Sequence, residues 1–256
     1  MSEYALAVDI GGTFTDVVLR EAGRRFWVDK TLTTPGDLRE GFFRAIDGVL
    51  SKAGLIPADV NDVIVHATTV VTNAILERKG ALTAAVFTEG FRDILALRDE
   101  CRSNIYDNQI EVPSPLIDAD HTFTIRERTL SDGTVVTTVD EAEVRALARD
   151  LSRRSISSVA VCLMSAYRNE TNERRVRDLL LDEAPGLYVS ISSEVSPLMG
   201  EYARASTTAL NAYTVPVVRP YFTSLGSKLR DHGFSQDLLV MLSSGGVISE
   251  IGRAHV

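Results

Sequence analysis

A chain of 256 residues that is 45% apolar and 24% charged can bury a core of its own, and its length suits one large domain or two smaller ones. The net charge of −8 argues against nucleic acid or an anionic membrane as partner, because phosphate-backbone binding leaves a basic footprint, whereas a small anion held by backbone amides stays compatible. Cys101 and Cys162, 2 cysteines in all, are too few for a cysteine-ligated structural zinc or a disulfide framework in so long a chain.

Residues 1–3 lead straight into a strand-like run without the basic segment and apolar core of a signal peptide. No apolar run approaches the ~20 residues of a membrane-spanning helix, and a cytoplasmic location is the expectation. Tyr4 to Ile10 and Thr15 to Arg20 are β-rich runs separated by Gly11-Gly12, the pattern of a hairpin, and Arg25 to Leu32 extends the meander. Asp37 to Ala53 changes to helical period, with Leu38, Phe42, Ile46, Val49 and Leu50 on one face and Gly54 as the stop. Val63 to Ala67 reads as a strand, Thr69 to Lys79 as a helix ended by Gly80, and Leu82 to Thr88 as another strand.

From Arg98 to Asp120 the periodicity is lost around Pro113 and Pro115, which predicts an irregular insertion over about 98–140, within which Asp132-Gly133 marks a hairpin. Helical period returns at Glu141. The buried strand Val159 to Met164 follows, with Cys162 as a buried thiol in it, then a charged helix over Glu170 to Glu183 and a strand over Leu187 to Ser192. Ser206 to Tyr213 and Tyr221 to His232 read as two helices, and Leu238 to Leu242 as a strand running into Ser243-Ser244-Gly245-Gly246, a turn that could form a second backbone nest.

The densest chemistry lies at Asp9-Ile10-Gly11-Gly12-Thr13-Phe14-Thr15-Asp16. In a strand-turn-strand, paired glycines let backbone N–H groups approach an anion, and the Thr13 and Thr15 hydroxyls can donate to phosphate oxygens. Asp9, at the end of the first strand, is placed to hold Mg²⁺ through water, an ion that keeps several of its waters. The same residues also read as a plain Gly-Gly hairpin carrying surface threonines and solvated aspartates. His66, Thr68, Thr69 and Asn73 form a second polar cluster at a strand end and helix start; either they meet a ligand, or Thr68 or Thr69 caps the helix beside a satisfied His66. Asp93 and Arg98 are further candidates for the same cleft, the alternative being that each is a solvated charge near a loop. There is no GxxxxGK[ST], GxGxxG, HExxH or GxSxG pattern, so P-loop, Rossmann, zincin and α/β-hydrolase readings lack support.

Asp9 to Asp16 resembles the first phosphate motif of the actin/Hsp70/sugar-kinase ATPase superfamily, and its GGTFTD form is similar to that of the hydantoinase A/5-oxoprolinase/acetone carboxylase β family. His66 to Gly80 resembles that family's second hallmark and Thr88 to Asp93 a third; Ile105-Tyr106-Asp107, Val159 to Leu163 and Ser206 to Tyr213 continue the likeness in order. Ala67 stands where the family has Gly, and Gly200 to Arg204 departs from its REYER-like run. A second Gly-Gly-Thr phosphate motif does not occur in the chain.

The resemblance implies an α/β fold of the RNase-H-like, actin-like ATPase kind, a mixed sheet with flanking helices truncated before the second lobe is complete. Residues 1–200 would form the N-terminal lobe and 201–250 the start of a second. Residues 251–256 can be encoded in frame by common sequencing-adapter DNA and are expected to be an artefact. The resemblance further implies ATP and Mg²⁺ as cofactors, with Gly11, Gly12, Thr13, Phe14 and Thr15 on the nucleotide, Asp9 and Asp16 on the metal, and His66, Thr68, Thr69, Asn73 and Asp93 in catalysis. The implied reaction phosphorylates the carbonyl oxygen of a cyclic amide such as a hydantoin or 5-oxoproline so that water can open the ring. It would be shared with a hydantoinase B-type partner subunit or fused domain, and this chain alone would be inactive. An ATP-using ketone carboxylase subunit, a sugar kinase and a non-catalytic nucleotide-binding module are the alternatives.

Overall fold

The structure, a computed structural model, describes residues 3–23, 25–34, 36–99, 106, 109 and 113–249. The expected features at Cys101, Ile105, Asp107 and 251–256 lie outside them. Strands β1 (Tyr4–Ile10), β2 (Phe14–Glu21) and β3 (Arg25–Leu32) form the antiparallel meander that their alternating patterns predict. Helix α1 (Leu38–Ala53) starts at Asp37, whose carboxylate accepts from the Arg39 N–H at 3.0 Å, and stops at Gly54 in the left-handed region at φ 69°. Its Phe42, Ile46, Val49 and Leu50 are buried, as the period requires.

Strand β4 (Ile64–Thr68) pairs parallel to β1 and is followed by helix α2 (Val70–Leu76). This helix is shorter than expected, because Arg78 takes the left-handed conformation at φ 55° and the Lys79 N–H closes back on Ala74 O at 2.9 Å. Gly80 therefore does not stop the helix. A Cβ there would lie 2.1 Å from the Tyr213 ring, so the glycine serves close approach. Strand β5 (Thr83–Thr88), helix α3 (Ile94–Leu97), strand β6 (Thr122–Ile125) and the hairpin of β7 (Arg128–Thr129) and β8 (Val135–Thr137) follow, the last turning on Gly133 at φ 91°. Next come α4 (Glu141–Arg153), β9 (Ser158–Cys162), α5 (Thr171–Glu183), β10 (Tyr188–Ile191), α6 (Ser192–Val195), α7 (Glu201–Asp231), β11 (Leu238–Met241) and β12 (Val247–Ser249).

Helix α7 corrects the expectation of two helices over Ser206–Tyr213 and Tyr221–His232: it runs unbroken through Pro216 and Pro220. A proline inside a helix deprives the carbonyl four residues back of its partner. Here the Ser158 hydroxyl donates to the freed Ala212 O at 2.6 Å, and the Ala81 N–H donates to Tyr213 O at 2.9 Å. The helical bond lost at Pro216 is thus replaced from outside the helix, by the Ser158 hydroxyl on Ala212 O, which no local pattern announces.

The chain divides into two compact units, one of residues 3–79 and 217–249 and the other of Gly80–Pro216. In the first, the sheet order is β12-β11-β4-β1-β2-β3, and Leu6, Val8, Leu19 and Ile64 of its inner face pack on Phe42, Ile46, Leu225 and Leu229. The segment after residue 216 adds a helix end and two strands to the fold of the N-terminal meander, so the units part between residues 79 and 80 and again within α7, after Pro216. In the second unit β10-β9-β5-β6 are all parallel. One face packs on α4 and α5 through Val144, Leu151, Val176 and Leu180, the other on Ala205, Ala209 and Ala212 of α7, whose small side chains line one helical stripe. Cys162 is buried there and its thiol is pushed up to about 12 by desolvation, which keeps it unreactive. Among the described residues no helix is long and apolar enough to cross a membrane.

Candidate functional site: the β1–β2 turn

Alternation along β1 and β2 decides which side chains the turn offers. Val8 and Ile10 on β1 and Thr15 and Val17 on β2 point inward, while Asp9, Phe14 and Asp16 point outward. Asp9 and Asp16 are directly opposed across the ladder, an arrangement of like charges that destabilises a hairpin unless a cation intervenes. Lys30, opposite Asp16 on β3, supplies one: its Nζ is 2.9 Å from Asp16 Oδ1 and 4.7 Å from the centre of the Phe14 ring. Among the described residues Asp9 has no ion-pair partner, and its carboxylate is exposed.

The turn itself is held by its carbonyls. Gly11 N–H donates to Phe14 O at 2.9 Å, the Thr33 hydroxyl donates to Gly11 O at 2.9 Å, and the Thr33 N–H donates to Thr13 O at 2.9 Å. Among the described residues the N–H groups of Gly12 and Thr13 have no acceptor. Neither glycine is in the left-handed region, so φ requires glycine at neither, and close packing within the chain requires it only at Gly11. A Cβ on Gly11 would crowd Phe14 O at 3.2 Å, and the nearest atom to a Cβ on Gly12 would be Asn73 Nδ2 at 3.9 Å.

That neighbour brings the second predicted cluster to the first. Thr68 is opposite Ile10 in the β1–β4 ladder, the Thr69 N–H donates to Ile10 O at 3.3 Å, and Asn73 Nδ2 donates to the Thr69 hydroxyl at 3.3 Å. Thr68 Oγ1 accepts from the Val70 N–H at 3.2 Å from one residue ahead of the N-cap, Thr69, whose own side chain makes no capping bond, and Asn73 lies beside Gly12.

Two candidates take other places. Thr15 is 0% exposed, with its hydroxyl 3.2 Å from that of Thr33 on the inner face, so it supports the turn from behind rather than facing a ligand. The cause is the two-residue period, which sets Thr15 opposite in sense to Phe14 and Asp16. His66 is also 0% exposed, packed edge-on to Phe42 and Phe222. Its Nδ1 faces Val8 O at 3.1 Å, which makes Nδ1 the protonated nitrogen, so Nε2 accepts from Tyr221 OH at 2.9 Å. With both nitrogens engaged, His66 presents nothing to a ligand. Asp93 belongs to the second unit, exposed at the start of α3, and Ser243 to Gly246 make the β11–β12 turn, with Gly245 N–H donating to Leu242 O at 2.9 Å.

Burial pushes the His66 pKa down to about 4 from 6.5. The folded state then keeps His66 neutral while the unfolded chain protonates it below pH 6.5, so its contribution is present above that pH and is lost as pH falls towards 4. The loss amounts to about 3 kcal/mol. Urea denaturation of wild type and His66→Gln at pH 7.5 and pH 4.5 checks this: the wild type should lose more stability on acidification, and equal losses would contradict it.

The second unit contains buried polar networks, in which Glu127, Asn172, Glu173 and Ser192 carry no motif of their own. Glu173, 0% exposed and held protonated to higher pH by desolvation, accepts from Leu163 N–H at 2.9 Å, Ser193 N–H at 2.8 Å and the Ser192 hydroxyl at 2.6 Å. Arg204 donates to Ser192 Oγ at 3.0 Å, Leu198 O at 2.9 Å and Leu163 O at 2.9 Å, and pairs with Glu201. Glu127 accepts from Thr88 and Asn172. Within Gly200 to Arg204 it is Arg204, at 0% exposure, that braces the unit, with Glu201 as its half-buried ion partner.

The chain matches the hydantoinase/oxoprolinase N-terminal region over residues 5–184 and hydantoinase/oxoprolinase over 204–253. It is 33% identical to the acetophenone carboxylase gamma subunit of Aromatoleum aromaticum over 94% of this chain and 35% of that protein. Among solved structures it resembles nucleotide-free acetone carboxylase, with a TM-score of 0.91 and 26% identity over 100% of this chain and 38% of that one. It also resembles the ATP-dependent caprolactamase of Pseudomonas jessenii, with a TM-score of 0.88 and 27% identity over 97% of this chain and 37% of that one. The chain thus spans roughly a third of the length of the curated relatives it matches (36% and 35% for the first two). A mixed α/β fold, a Gly-Gly hairpin flanked by Asp9 and Asp16, and family matches over both parts of the chain lead to one assignment: the chain belongs to the hydantoinase/oxoprolinase family.

Proposed function

We propose that the β1–β2 turn holds the phosphates of ATP and that the full-length protein is the ATP-using part of a hydrolase that opens cyclic amides. The observation that carries this is the pair of N–H groups at Gly12 and Thr13 without an acceptor among the described residues, next to an exposed Asp9 without a cation. Such a concavity of amides suits phosphate oxygens, and Asn73 Nδ2 is close enough to Gly12 to add a side-chain donor. Asp9 fits Mg²⁺ better than Asp16, because Lys30 already neutralises Asp16. When bound, Mg²⁺ would offset the negative charge of the phosphates. Thr69 orients Asn73, and Lys30 keeps Asp16 from repelling the nucleotide. Transfer of the γ-phosphoryl group to a lactam carbonyl oxygen would remove amide resonance and expose the carbon to water, a step shared with a partner subunit or a further domain.

The caprolactamase likeness supports the cyclic-amide reading. The 33% identity to a ketone carboxylase subunit favours a second one, in which the same phosphate site serves an enol oxygen. ADP release by the full-length protein with its genomic neighbour separates them. Stimulation by 5-oxoproline, hydantoins or caprolactam alone supports the hydrolase, stimulation by ketones with bicarbonate alone moves the assignment to carboxylase, and stimulation by a sugar alone overturns both.

A further inference from the structure

We infer that Thr33 is a positioning residue of the phosphate-binding turn, acting by fixing the direction of the Gly12 N–H; this rests on the phosphate-site reading above. Thr33 lies just past the end of β3 and makes two bonds to the turn, from its N–H to Thr13 O and from its hydroxyl to Gly11 O, each 2.9 Å. Its hydroxyl is also 3.2 Å from that of Thr15, which is buried and cannot move aside.

The consequence follows from peptide geometry. In a trans peptide the C=O of one residue and the N–H of the next point in opposite directions in one plane. Gly11 C=O and Gly12 N–H share such a plane. By holding Gly11 O on the inner side, the Thr33 hydroxyl turns the Gly12 N–H away from it, where no protein acceptor among the described residues meets it. The need is real because Gly12 has no side chain of its own to pack, and a Cβ there would meet nothing nearer than Asn73 Nδ2 at 3.9 Å, so without an anchor this peptide can rotate. An amide fixed before the ligand arrives loses less entropy on binding. The neighbouring Thr34 ties the same segment to α1, its hydroxyl accepting from the Gly41 N–H at 3.0 Å, so the anchor is itself anchored.

The test uses the full chain of the active protein with its partner, comparing wild type, Thr33→Val, Thr33→Ser and Asp9→Asn. Thr33→Val keeps the shape and removes the hydroxyl, and it should raise KM for ATP about fivefold, the loss of one hydrogen bond's worth of preorganisation. Its kcat at saturating ATP should stay within about twofold, since the interaction is made equally in ground and transition states. Thr33→Ser retains the hydroxyl and should show wild-type KM. Should Thr33→Ser raise KM as much as Thr33→Val, the effect does not follow the hydroxyl and the inference is overturned. A wild-type KM in Thr33→Val beside an impaired Asp9→Asn overturns the role of Thr33 alone, whereas wild-type turnover in both overturns the phosphate-site reading with it.

Discussion

Asp9→Asn should lower ATP turnover by the full-length protein by at least about tenfold while leaving its urea midpoint close to wild type. Asn has nearly the shape of Asp, and the side chain lies on the exposed face of β1 with no ion pair to lose among the described residues. What the change removes is one negative charge beside the turn. Asp16→Asn is the informative companion, because Lys30 already balances Asp16, and the expected effect is smaller. Equal losses in the two variants would show that the carboxylates act as a pair. A wild-type rate in Asp9→Asn would make this carboxylate a turn residue and nothing more.

Arg204→Met should destabilise the chain by about 3 kcal/mol, because it removes a buried guanidinium and leaves the carbonyls of Leu163 and Leu198 without that donor. The guanidinium is 0% exposed and serves two carbonyls, a hydroxyl and a carboxylate. Methionine fills much of the volume but leaves Leu163 O and Leu198 O without that donor, and leaves Glu201 without its countercharge. Each stranded buried group carries its own desolvation penalty. Arg204→Lys keeps the charge but cannot reproduce the planar fork, so its loss should fall between. Urea denaturation measures both, and a loss below about 1 kcal/mol in Arg204→Met would show that water enters the site and replaces the guanidinium.

Most elements of the fold can be read from local pattern, and the exceptions have long-range causes. The β1–β2–β3 meander and α1 follow from alternation, helical period and the Asp37 and Gly54 caps, all encoded within the segment that forms them. Helix α7 does not, because the carbonyl freed by Pro216, Ala212 O, is met by Ser158, far away in sequence. The end of α2 is hidden for the same reason: Gly80 looks like a stop, whereas its role is contact with Tyr213.

The site divides in the same way. Asp9, Gly11, Gly12 and Asp16 lie within one short segment, and their spacing places them on one turn. The inward orientation of Thr15 is also readable, since it falls in phase with Val17 and Leu19, although a hydroxyl beside two glycines suggests a ligand contact. Lys30 becomes legible only once the β2–β3 register is known, because nothing in the sequence says which residue of β3 opposes Asp16. Thr33 carries no motif at all. The burial of His66 depends on Tyr221 and Phe222, which arrive 155 residues later in the case of the hydrogen bond to Tyr221.

Backbone amide exchange is the most direct measure of whether nucleotide phosphates sit on the β1–β2 turn. In full-length protein with Mg²⁺, a non-hydrolysable ATP analogue should slow exchange at Gly12 and Thr13, the two amides that lack an acceptor among the described residues. The same protection should be weakened in Asp9→Asn. Unchanged exchange at Gly12 and Thr13, with nucleotide-dependent protection only elsewhere in the chain, would contradict phosphate binding at this turn.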